Sequence, residues 1–227
     1  MGYNNYLADE KNHRRNARET INAISKIRDL EGLRVLDVGC AFGFFLDEWN
    51  RLIKCEGYGI EISSHAFAYA KNLLRMNVFN CDLSECNFEP ESFDIVFLIG
   101  TIEHIISPRK TLEEISKILK PGGLLVLTTV DTMGLIPLYS LKPPEHLFYF
   151  NHDNLSKLLK KTGYNTLERK TNFAIYHIYD LFHRVGKFLS VSLLETASDL
   201  IKRYFPDLSI KIPTNEMLMI AEKEKFR

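Results

Sequence analysis

The chain has 227 residues, of which 45% are hydrophobic and 26% charged, the balance of an ordinary globular protein. Lysine and arginine together number 29, as do aspartate and glutamate, so the formal net charge is zero. This balance argues against a dedicated nucleic-acid-binding protein, which would carry a basic excess. No apolar run approaches the ~20 residues that span a bilayer, so no transmembrane segment is expected.

The amino-terminal residues and the cysteines both indicate a cytoplasmic protein. Residues 1–18 are polar, lack the apolar core of a secretory signal, and are predicted to be a mobile arm. The cysteines at positions 40, 55, 81 and 86 form no CxxC pair and have no histidine partners at zinc spacing. They are therefore expected to be reduced thiols, as is usual in the cytoplasm.

Apolar strands alternate with amphipathic helices between residues 33 and 130. The strands are predicted at 34–38, 58–62, 78–83, 94–99 and 124–130. Helices are predicted at 19–30, 44–52, 64–74 and 108–119. Steady alternation of this kind predicts right-handed βαβ units and a parallel sheet with helices on its faces.

The pattern after residue 130 is less regular. Three prolines predict an irregular segment at 131–150, over the carboxyl-terminal edge of the sheet. A helix at 153–161 and a sixth strand at 164–170 follow it. Residues 174–205 have helical spacing and many aromatic side chains, which predicts an inserted helical hairpin or lid, and 217–221 would be the last strand.

The stretch RVLDVGCAFGFFL, residues 34–46, is typical of a strand, a tight glycine turn and the start of a helix. Gly39 and Gly43 let the backbone approach a ligand, and ligands bind at the carboxyl ends of strands in open α/β sheets. Asp37 lies within the buried strand, where a carboxylate requires a partner. Glu61 follows the second strand, eighteen residues after Gly43, a spacing that suits a carboxylate binding both hydroxyls of a ribose.

The same stretch excludes two phosphate-binding loops. A dinucleotide fingerprint G-x-G-x-x-G/A that begins at Gly39 would place Ala41 and Phe44 in its second and third glycine positions. A Walker loop is excluded because no G-x-x-x-x-G-K-[ST] motif occurs. An acidic residue two positions before the first glycine would repel a phosphate, and it suits a ligand with a cationic amino group.

Several motifs resemble those of the class I S-adenosylmethionine-dependent methyltransferases. VLDVGCAFGFFL resembles their first motif, YGIEIS their ribose-binding acidic motif, and NCDL their adenine-contacting segment. FDIVFLIGTIEHI and LKPGGLLVLTTV resemble their fourth strand and the turn into the fifth. PPEHLFYFNHDNLSKLLKKTGY resembles a segment of the small-molecule branch, which includes ubiquinone-type and sugar methyltransferases.

The resemblance implies an α/β, Rossmann-like, doubly wound fold. Its seven-stranded sheet would be mostly parallel, with an antiparallel last strand and a helical insert before it. We expect a single methyltransferase domain over residues 1–227. Its parts would be an N-terminal arm and helix (1–30), a cofactor-binding core (31–130), and an acceptor-side segment that carries the insert and the last strand (131–227).

The resemblance also implies which residues bind S-adenosyl-L-methionine. The methionine part would lie on the loop after the first strand, with Asp37 setting that loop. Glu61 would bind both ribose hydroxyls, and Asp82 would accept a hydrogen bond from the adenine amino group. The other predicted cofactor-binding residues are Gly39, Cys40, Ala41, Gly43, Ile62, Leu83, Gly100 and Thr101. Phe42 departs from the family pattern, since this loop position is often smaller or polar.

Three residues are candidates for catalysis at the acceptor. Histidine is the usual base at neutral pH, and His104 directly follows the fourth strand, where the reacting methyl group should point. His146 lies in the PEHLFYF segment, which would fold over the same place. Glu103 would orient either histidine or cap the next helix. Tyr3, Tyr6 and His13 would close over the cofactor or belong to the disordered arm, and no metal site is expected.

We therefore expect a methyltransferase for a small-molecule acceptor, most simply a hydroxyl oxygen of a sugar or glycan precursor. N- or C-methylation of a quinone-type or lipid acceptor stays open, as does a non-catalytic cofactor-binding module that serves a partner protein. Basic residues within 174–205 leave a peripheral membrane contact open. The protein would be a monomer or a homodimer.

Overall fold

The computed structural model describes residues 3–55, 57–133 and 142–225. Part of the predicted irregular segment at 131–150 and the side chain of Tyr3 lie outside the described residues. The helices are α1 (Tyr3–Ala8), α2 (Glu10–Ser25), α3 (Phe44–Ile53), α4 (Ser64–Asn72), α5 (Pro108–Ile118), α6 (His152–Lys161), α7 (Ile178–Leu189) and α8 (Ser192–Tyr204). The strands are β1 (Val35–Val38), β2 (Gly57–Ile60), β3 (Asn77–Phe79), β4 (Phe93–Ile99), β5 (Leu119–Val130), β6 (Tyr164–His177) and β7 (Ser209–Lys223).

The strands form one seven-stranded sheet in the order β3-β2-β1-β4-β5-β7-β6. Strands β1 to β5 pair in parallel, and β7 pairs with β5 antiparallel, which confirms the predicted topology. Val35 pairs with Gly57 of β2 on one side and with Ile95 of β4 on the other. The strand order reverses at β1 and β4, so a ligand crevice is expected at their carboxyl ends.

Both faces of the sheet are buried, which explains the continuous apolar runs of its central strands. Successive residues of a strand point to opposite faces. Leu36, Val96 and Leu125 belong to one apolar cluster, whereas their neighbours Val35 and Ile95 belong to the other.

The predicted mobile arm is wrong for residues 3–18, which lie in α1 and α2 except for Asp9 between them. Ala17, Ile21 and Ile24 are buried in the cluster on one face of the sheet, so α2 is fixed by packing. The expected strand at 78–83 is also wrong in extent, because β3 ends at Phe79 and a turn follows. Strand β6 is longer than predicted, since it continues to His177.

The expectation of reduced cysteines is wrong for two of the four. Cys81 and Cys86 form a disulfide across the turn that follows β3, with their Cα atoms 6.3 Å apart. Cys40 and Cys55 are free thiols, as expected. The turn folds back within five residues, and that brings together two side chains whose sequence spacing matches no metal or redox motif.

The chain divides into two compact units, Met1–Asn172 with Thr214–Arg227, and Phe173–Pro213. The smaller unit holds α7 and α8, which pack on each other as predicted for a helical insert. Gly186 permits their close approach, because a Cβ there would lie 3.1 Å from the Cβ of Leu194. No helix among the described residues is long and apolar enough to cross a membrane.

Helices α2 and α3 are joined through a buried carboxylate, Glu48, which is 2% exposed. Its oxygens accept hydrogen bonds from Arg18 Nε at 2.9 Å and Arg51 Nη2 at 2.8 Å, and Arg14 Nη1 lies 3.4 Å away. Burial alone would raise the pKa of Glu48, but the hydrogen bonds from Arg18 and Arg51 outweigh it and lower the pKa to about 2. The ionised carboxylate therefore stabilises the fold.

Replacing this carboxylate tests that role. Glu48→Gln should lower the free energy of unfolding by about 1–3 kcal/mol, because three arginines lose the buried, charged acceptor that they share. In the wild type, the stabilisation is complete above the ordinary carboxyl pKa of 4.5 and is lost as the pH falls towards about 2. Urea denaturation across that range should show a steeper acid loss in the wild type than in the variant. Glu113→Gln, which removes only an exposed pair with Arg109, should change stability by less than about 0.5 kcal/mol.

Candidate active site

A cleft of about 380 Å³ lies at the carboxyl ends of β1, β2 and β4. It is where the strand order predicts a ligand. Six predicted site residues line it: Gly39, Ile62, Asp82, Leu83, Thr101 and His104. The sequence analysis missed a further side of the cleft, formed by Ile105, Ile106, Ser107, Lys110, Thr111 and Glu114. The spacing of Ser107, Lys110, Thr111 and Glu114 places them on one face of the first turns of α5, a signal that was present in the sequence.

The loop after β1 uses its own amide groups for internal hydrogen bonds. The N–H groups of Gly39 and Cys40 both donate to the Ile60 carbonyl, at 2.9 and 3.0 Å. The N–H of Gly43 donates to the Cys40 carbonyl at 2.8 Å. A glycine-rich loop binds a phosphate through free backbone N–H groups. These three N–H groups are already used in hydrogen bonds within the protein. The loop geometry therefore agrees with the exclusion of a dinucleotide.

Gly39 has a left-handed backbone and lies directly against Thr101, which follows β4. Its φ is +77°, and a Cβ at this position would come within 2.7 Å of Thr101 Cγ2. Gly43 and Ala41 also have positive φ values, of 81° and 48°. The turn is thus a narrow cradle. Its backbone can lie this close to Thr101 because Gly39 has no side chain.

Asp37 is buried at the base of this cradle. Its Oδ1 atom is buried and makes no hydrogen bond to any described residue. Burial raises the pKa of Asp37, and the negative charge of Glu61 nearby adds to this effect, so that the pKa is about 7. A cationic amino group would give this carboxylate the charged partner that it lacks. The cradle and the unpaired acid together fit the amino-acid end of S-adenosylmethionine.

Glu61 connects the cradle to the helix after β2. Its Oε2 atom accepts a hydrogen bond from the Ala41 N–H at 2.9 Å, and Oε1 accepts from the Ser63 N–H at 2.7 Å. Each carboxylate oxygen has two lone pairs, so both can still accept a ribose hydroxyl. Asn80, which the sequence analysis missed, holds this corner by donating from Nδ2 to the carbonyls of Glu61 and Ile62.

The turn after β3 presents Asp82 to the cleft. Asp82 Oδ1 accepts hydrogen bonds from the N–H and the hydroxyl of Ser84, at 3.0 and 2.8 Å. The disulfide between Cys81 and Cys86 closes the same turn. Leu83 is buried beside it and lines the cleft. These contacts fix a polar and an apolar group where the adenine was predicted to lie.

The bulky Phe42 has a structural role that explains the departure from the family pattern. It is buried in an aromatic cluster with Phe44, and Tyr6 of α1 stacks on it with the ring centroids 5.5 Å apart. Burial raises the pKa of the Tyr6 hydroxyl, and the carboxylates of Asp37 and Glu61 add to this effect. Tyr6 thus packs on the loop that forms the cradle, and whether it closes over the cofactor stays a prediction.

His104 lines the end of the cleft where the acceptor was predicted to bind, and Glu103 and His146 lie behind it. Glu103 and His146 are buried, at 4% and 8% exposed, whereas His104 is exposed and lines the cleft. The two imidazole rings meet edge to face, with centroids 4.9 Å apart. Glu103 Oε2 accepts a hydrogen bond from Thr129 Oγ1 at 2.8 Å. Burial raises the pKa of Glu103.

The backbone holds this cluster together. The Glu103 carbonyl accepts from the N–H groups of Leu147 and Phe148, at 2.8 and 3.2 Å. His104 Nδ1 lies 2.7 Å from the Glu145 carbonyl. The segment that carries His146 is thus attached to the turn after β4, which is where it was predicted to fold. On the other side of that turn, the Gly100 N–H donates to the carbonyl and the hydroxyl of Thr128.

The geometry defines the class of protein: a Rossmann-like sheet with the cofactor cradle of a class I S-adenosylmethionine-dependent methyltransferase. The chain matches the family described as "Methyltransferase domain" over residues 9–169, which is more than half of its length. It belongs to that family. The family predicted from the sequence is thereby confirmed.

Three known proteins illustrate the relationship. Mitochondrial ubiquinone biosynthesis O-methyltransferase of Dictyostelium discoideum is 29% identical over 134 residues, which cover 52% of this chain and 42% of that protein. The Neisseria meningitidis serogroup A ubiquinone biosynthesis O-methyltransferase is 26% identical over 171 residues, or 66% and 70% of the two chains. Phosphoethanolamine N-methyltransferase 2 of Haemonchus contortus, solved with S-adenosyl-L-methionine, has a TM-score of 0.62 at 20% identity and covers 92% of this chain and 53% of that one. The likeness to this last protein shows the fold alone, and the chain spans less than half the length of the Dictyostelium relative.

The cradle can be tested with two glycine variants. Gly39→Ala should weaken binding of S-adenosylhomocysteine by about tenfold or more, since the new methyl group must displace Thr101 at a cost of more than about 1.4 kcal/mol. Gly32→Ala is the matched control, because its φ of +71° carries the same backbone strain but nothing lies within 4 Å of the new Cβ. Calorimetric titration should show wild-type affinity for the control. Equal affinity in both variants would contradict the cradle.

Proposed function

We propose that this protein transfers a methyl group from S-adenosylmethionine to a hydroxyl oxygen of a small-molecule acceptor. One observation carries the proposal: a single cleft is lined by Gly39 and Asp82 at the cofactor side and by His104 at the other end. A binding module would need only the first set of groups. The buried Glu103 and His146 behind His104 favour an enzyme over such a module.

In the proposed reaction, His104 is the base that takes the proton from the acceptor hydroxyl. When bound, S-adenosylmethionine supplies a methyl group on a sulfonium, and the C–S electron pair stays on sulfur after transfer. The contact of Nδ1 with the Glu145 carbonyl assigns the ring proton to Nδ1 and leaves the Nε2 lone pair for a proton. The acceptor oxygen then forms the new O–C bond as its hydrogen moves to Nε2. The Glu103 carboxylate, next in the chain, stabilises the imidazolium that results.

The surroundings of the cleft favour an aromatic or apolar acceptor. A second groove shares Ile106, Ser107 and Lys110 with the cleft and continues over an aromatic surface, Phe148–Phe150. Ile106, at the junction, is 82% exposed. Apolar walls with a few polar groups suit an aromatic ring better than a carbohydrate. The ubiquinone-biosynthesis relatives add support, so we propose a phenolic hydroxyl as the acceptor.

The rival acceptors are separable by one experiment. The protein should be incubated with methyl-labelled S-adenosylmethionine and a panel of phenols, catechols, sugars, nucleotide sugars, amines and sterols, with label measured in the extracted product. Transfer to a phenolic oxygen supports the proposal. Transfer confined to sugars would support the hydroxyl acceptor expected from sequence and overturn the phenolic assignment. Transfer confined to amines or to carbon would overturn O-methylation.

The role of His104 can be tested once an acceptor is identified. His104→Ala should lower kcat by about 100-fold or more, the usual contribution of a general base. Its affinity for S-adenosylhomocysteine should stay within about threefold of wild type, which corresponds to a change in binding free energy of less than about 0.7 kcal/mol. His183→Ala, an exposed histidine of the smaller unit, is the control and should retain full turnover. Full turnover in His104→Ala would remove the proposed base.

The cofactor side has its own test. Glu61→Ala should reduce S-adenosylhomocysteine affinity by about 30-fold or more. The variant loses hydrogen bonds from the ribose to a charged acceptor, which contribute ~2 kcal/mol to binding, and also the hydrogen bond from the Ala41 N–H that shapes the loop. Glu89→Ala, an exposed residue, should bind like the wild type. Tight binding of NAD in place of S-adenosylhomocysteine would overturn the assignment.

A further inference from the structure

Three potential metal ligands meet at the acceptor end of the cleft. Glu103, His104 and His146 each offer one atom, and these atoms all lie within 4.8 Å of one another. Two of the ligands come from the turn after β4, and the third comes from a segment 42 residues further along the chain. No spacing rule in the sequence connects them, which is why the sequence analysis expected no metal.

The groups around the cluster are those that orient metal ligands. A histidine that binds a metal through one ring nitrogen usually donates from the other to a carbonyl or carboxylate. His104 Nδ1 makes such a contact with the Glu145 carbonyl, 2.7 Å away, and Nε2 is then the ligand atom. Thr129 Oγ1 orients the Glu103 carboxylate at 2.8 Å. The N–H groups of Leu147 and Phe148 attach the His146 segment to the Glu103 carbonyl.

Charge gives a second reason for a cation here. Glu103 is 4% exposed, and a buried carboxylate is costly unless a positive group compensates it. No salt bridge to Glu103 occurs among the described residues, and Thr129 supplies only a neutral hydroxyl. A divalent cation that binds the two imidazole rings beside this carboxylate would supply the positive charge.

We propose that Glu103, His104 and His146 bind a divalent transition-metal ion at the acceptor end of the cleft. Two imidazoles and one carboxylate suit Zn²⁺, Co²⁺, Mn²⁺ or Fe²⁺ better than Mg²⁺ or Ca²⁺, which prefer oxygen. Three protein ligands leave at least one position open for a substrate atom. Ligand atoms at ~2.1 Å from a tetrahedral ion lie about 3.4 Å apart, so the site needs a contraction of roughly an ångström. The exposed ring of His104 can supply that movement.

The role of the ion rests on the proposed function. The open position would take the acceptor hydroxyl oxygen and lower its pKa, so that the proton leaves to water while the oxygen forms the bond to the methyl carbon. The C–S electron pair stays on sulfur, as before. His104 is then a ligand in the loaded protein and a base only in the metal-free one. Cation binding itself needs neither the cofactor nor the acceptor.

Cobalt provides a test that does not depend on methyl transfer. Tag-free, full-length protein is treated with a chelator, dialysed, and titrated with Co²⁺ while the visible ligand-field absorption is recorded. We expect saturation at one Co²⁺ per chain and displacement by Zn²⁺. His146→Ala should weaken Co²⁺ binding by about 100-fold or more, since a direct ligand contributes more than the 10–100-fold of an orienting residue. His183→Ala should bind Co²⁺ like the wild type.

Two further measurements keep the outcomes distinct. His146 is buried, and its replacement can disturb folding. The exposed ligand is therefore replaced as well, in His104→Gln, and S-adenosylhomocysteine binding shows that each variant is folded. No saturable absorption in the wild type, or equal absorption in both ligand variants, would overturn the metal site even if methyl transfer is observed. Cobalt binding that is lost in the variants, with no methyl transfer to any acceptor, would support the metal site and overturn the proposed function.

Discussion

The contact on which the site depends most is the carboxylate of Glu61, which is fixed between two backbone amides. It accepts from Ala41 in the loop after β1 and from Ser63 at the start of α4. The connections that follow β1 and β2 are thereby joined beside the point where the strand order reverses, between β1 and β4. The Ile60 carbonyl, one residue earlier, accepts from two more amides of the same loop. The end of β2 therefore determines the shape of the cradle after β1.

This arrangement divides the polar groups of the cleft into two kinds. At the cofactor side, the amides of Gly39, Cys40, Ala41 and Gly43 donate within the protein, whereas Asp37 Oδ1 makes no hydrogen bond to any described residue. Such a site selects a cation over a phosphate. At the acceptor side, Glu103, His104 and His146 place basic nitrogens and a carboxylate together. That chemistry suits the removal of a proton from a neutral hydroxyl, whether by an imidazole or by a bound ion.

Local signals in the sequence predicted the parallel sheet and the glycine cradle, whereas the antiparallel direction of the last strand was expected from the family resemblance. Periodicity marks buried strands, and positions such as Gly39 and Glu61 lie at fixed distances from strand ends. Contacts between distant segments could not be predicted in this way. Examples are the hydrogen bond from Thr129 Oγ1 to Glu103 and the stacking of Tyr6 on Phe42. The disulfide between Cys81 and Cys86 was missed for another reason, because the spacing of these cysteines matches no metal or redox motif. The helical state of residues 3–18 depends on packing against the aromatic cluster and the sheet, which polar composition does not reveal.

The central claim is that one cleft holds the cofactor and directs its methyl group towards His104. A crystal structure of the protein with S-adenosylhomocysteine measures this most directly. We expect both ribose hydroxyls within hydrogen-bonding distance of the Glu61 carboxylate, the adenine beside Asp82 and Leu83, and the sulfur facing the His104 ring. A ligand seated outside this cleft, or one whose sulfur points away from His104, would contradict the claim.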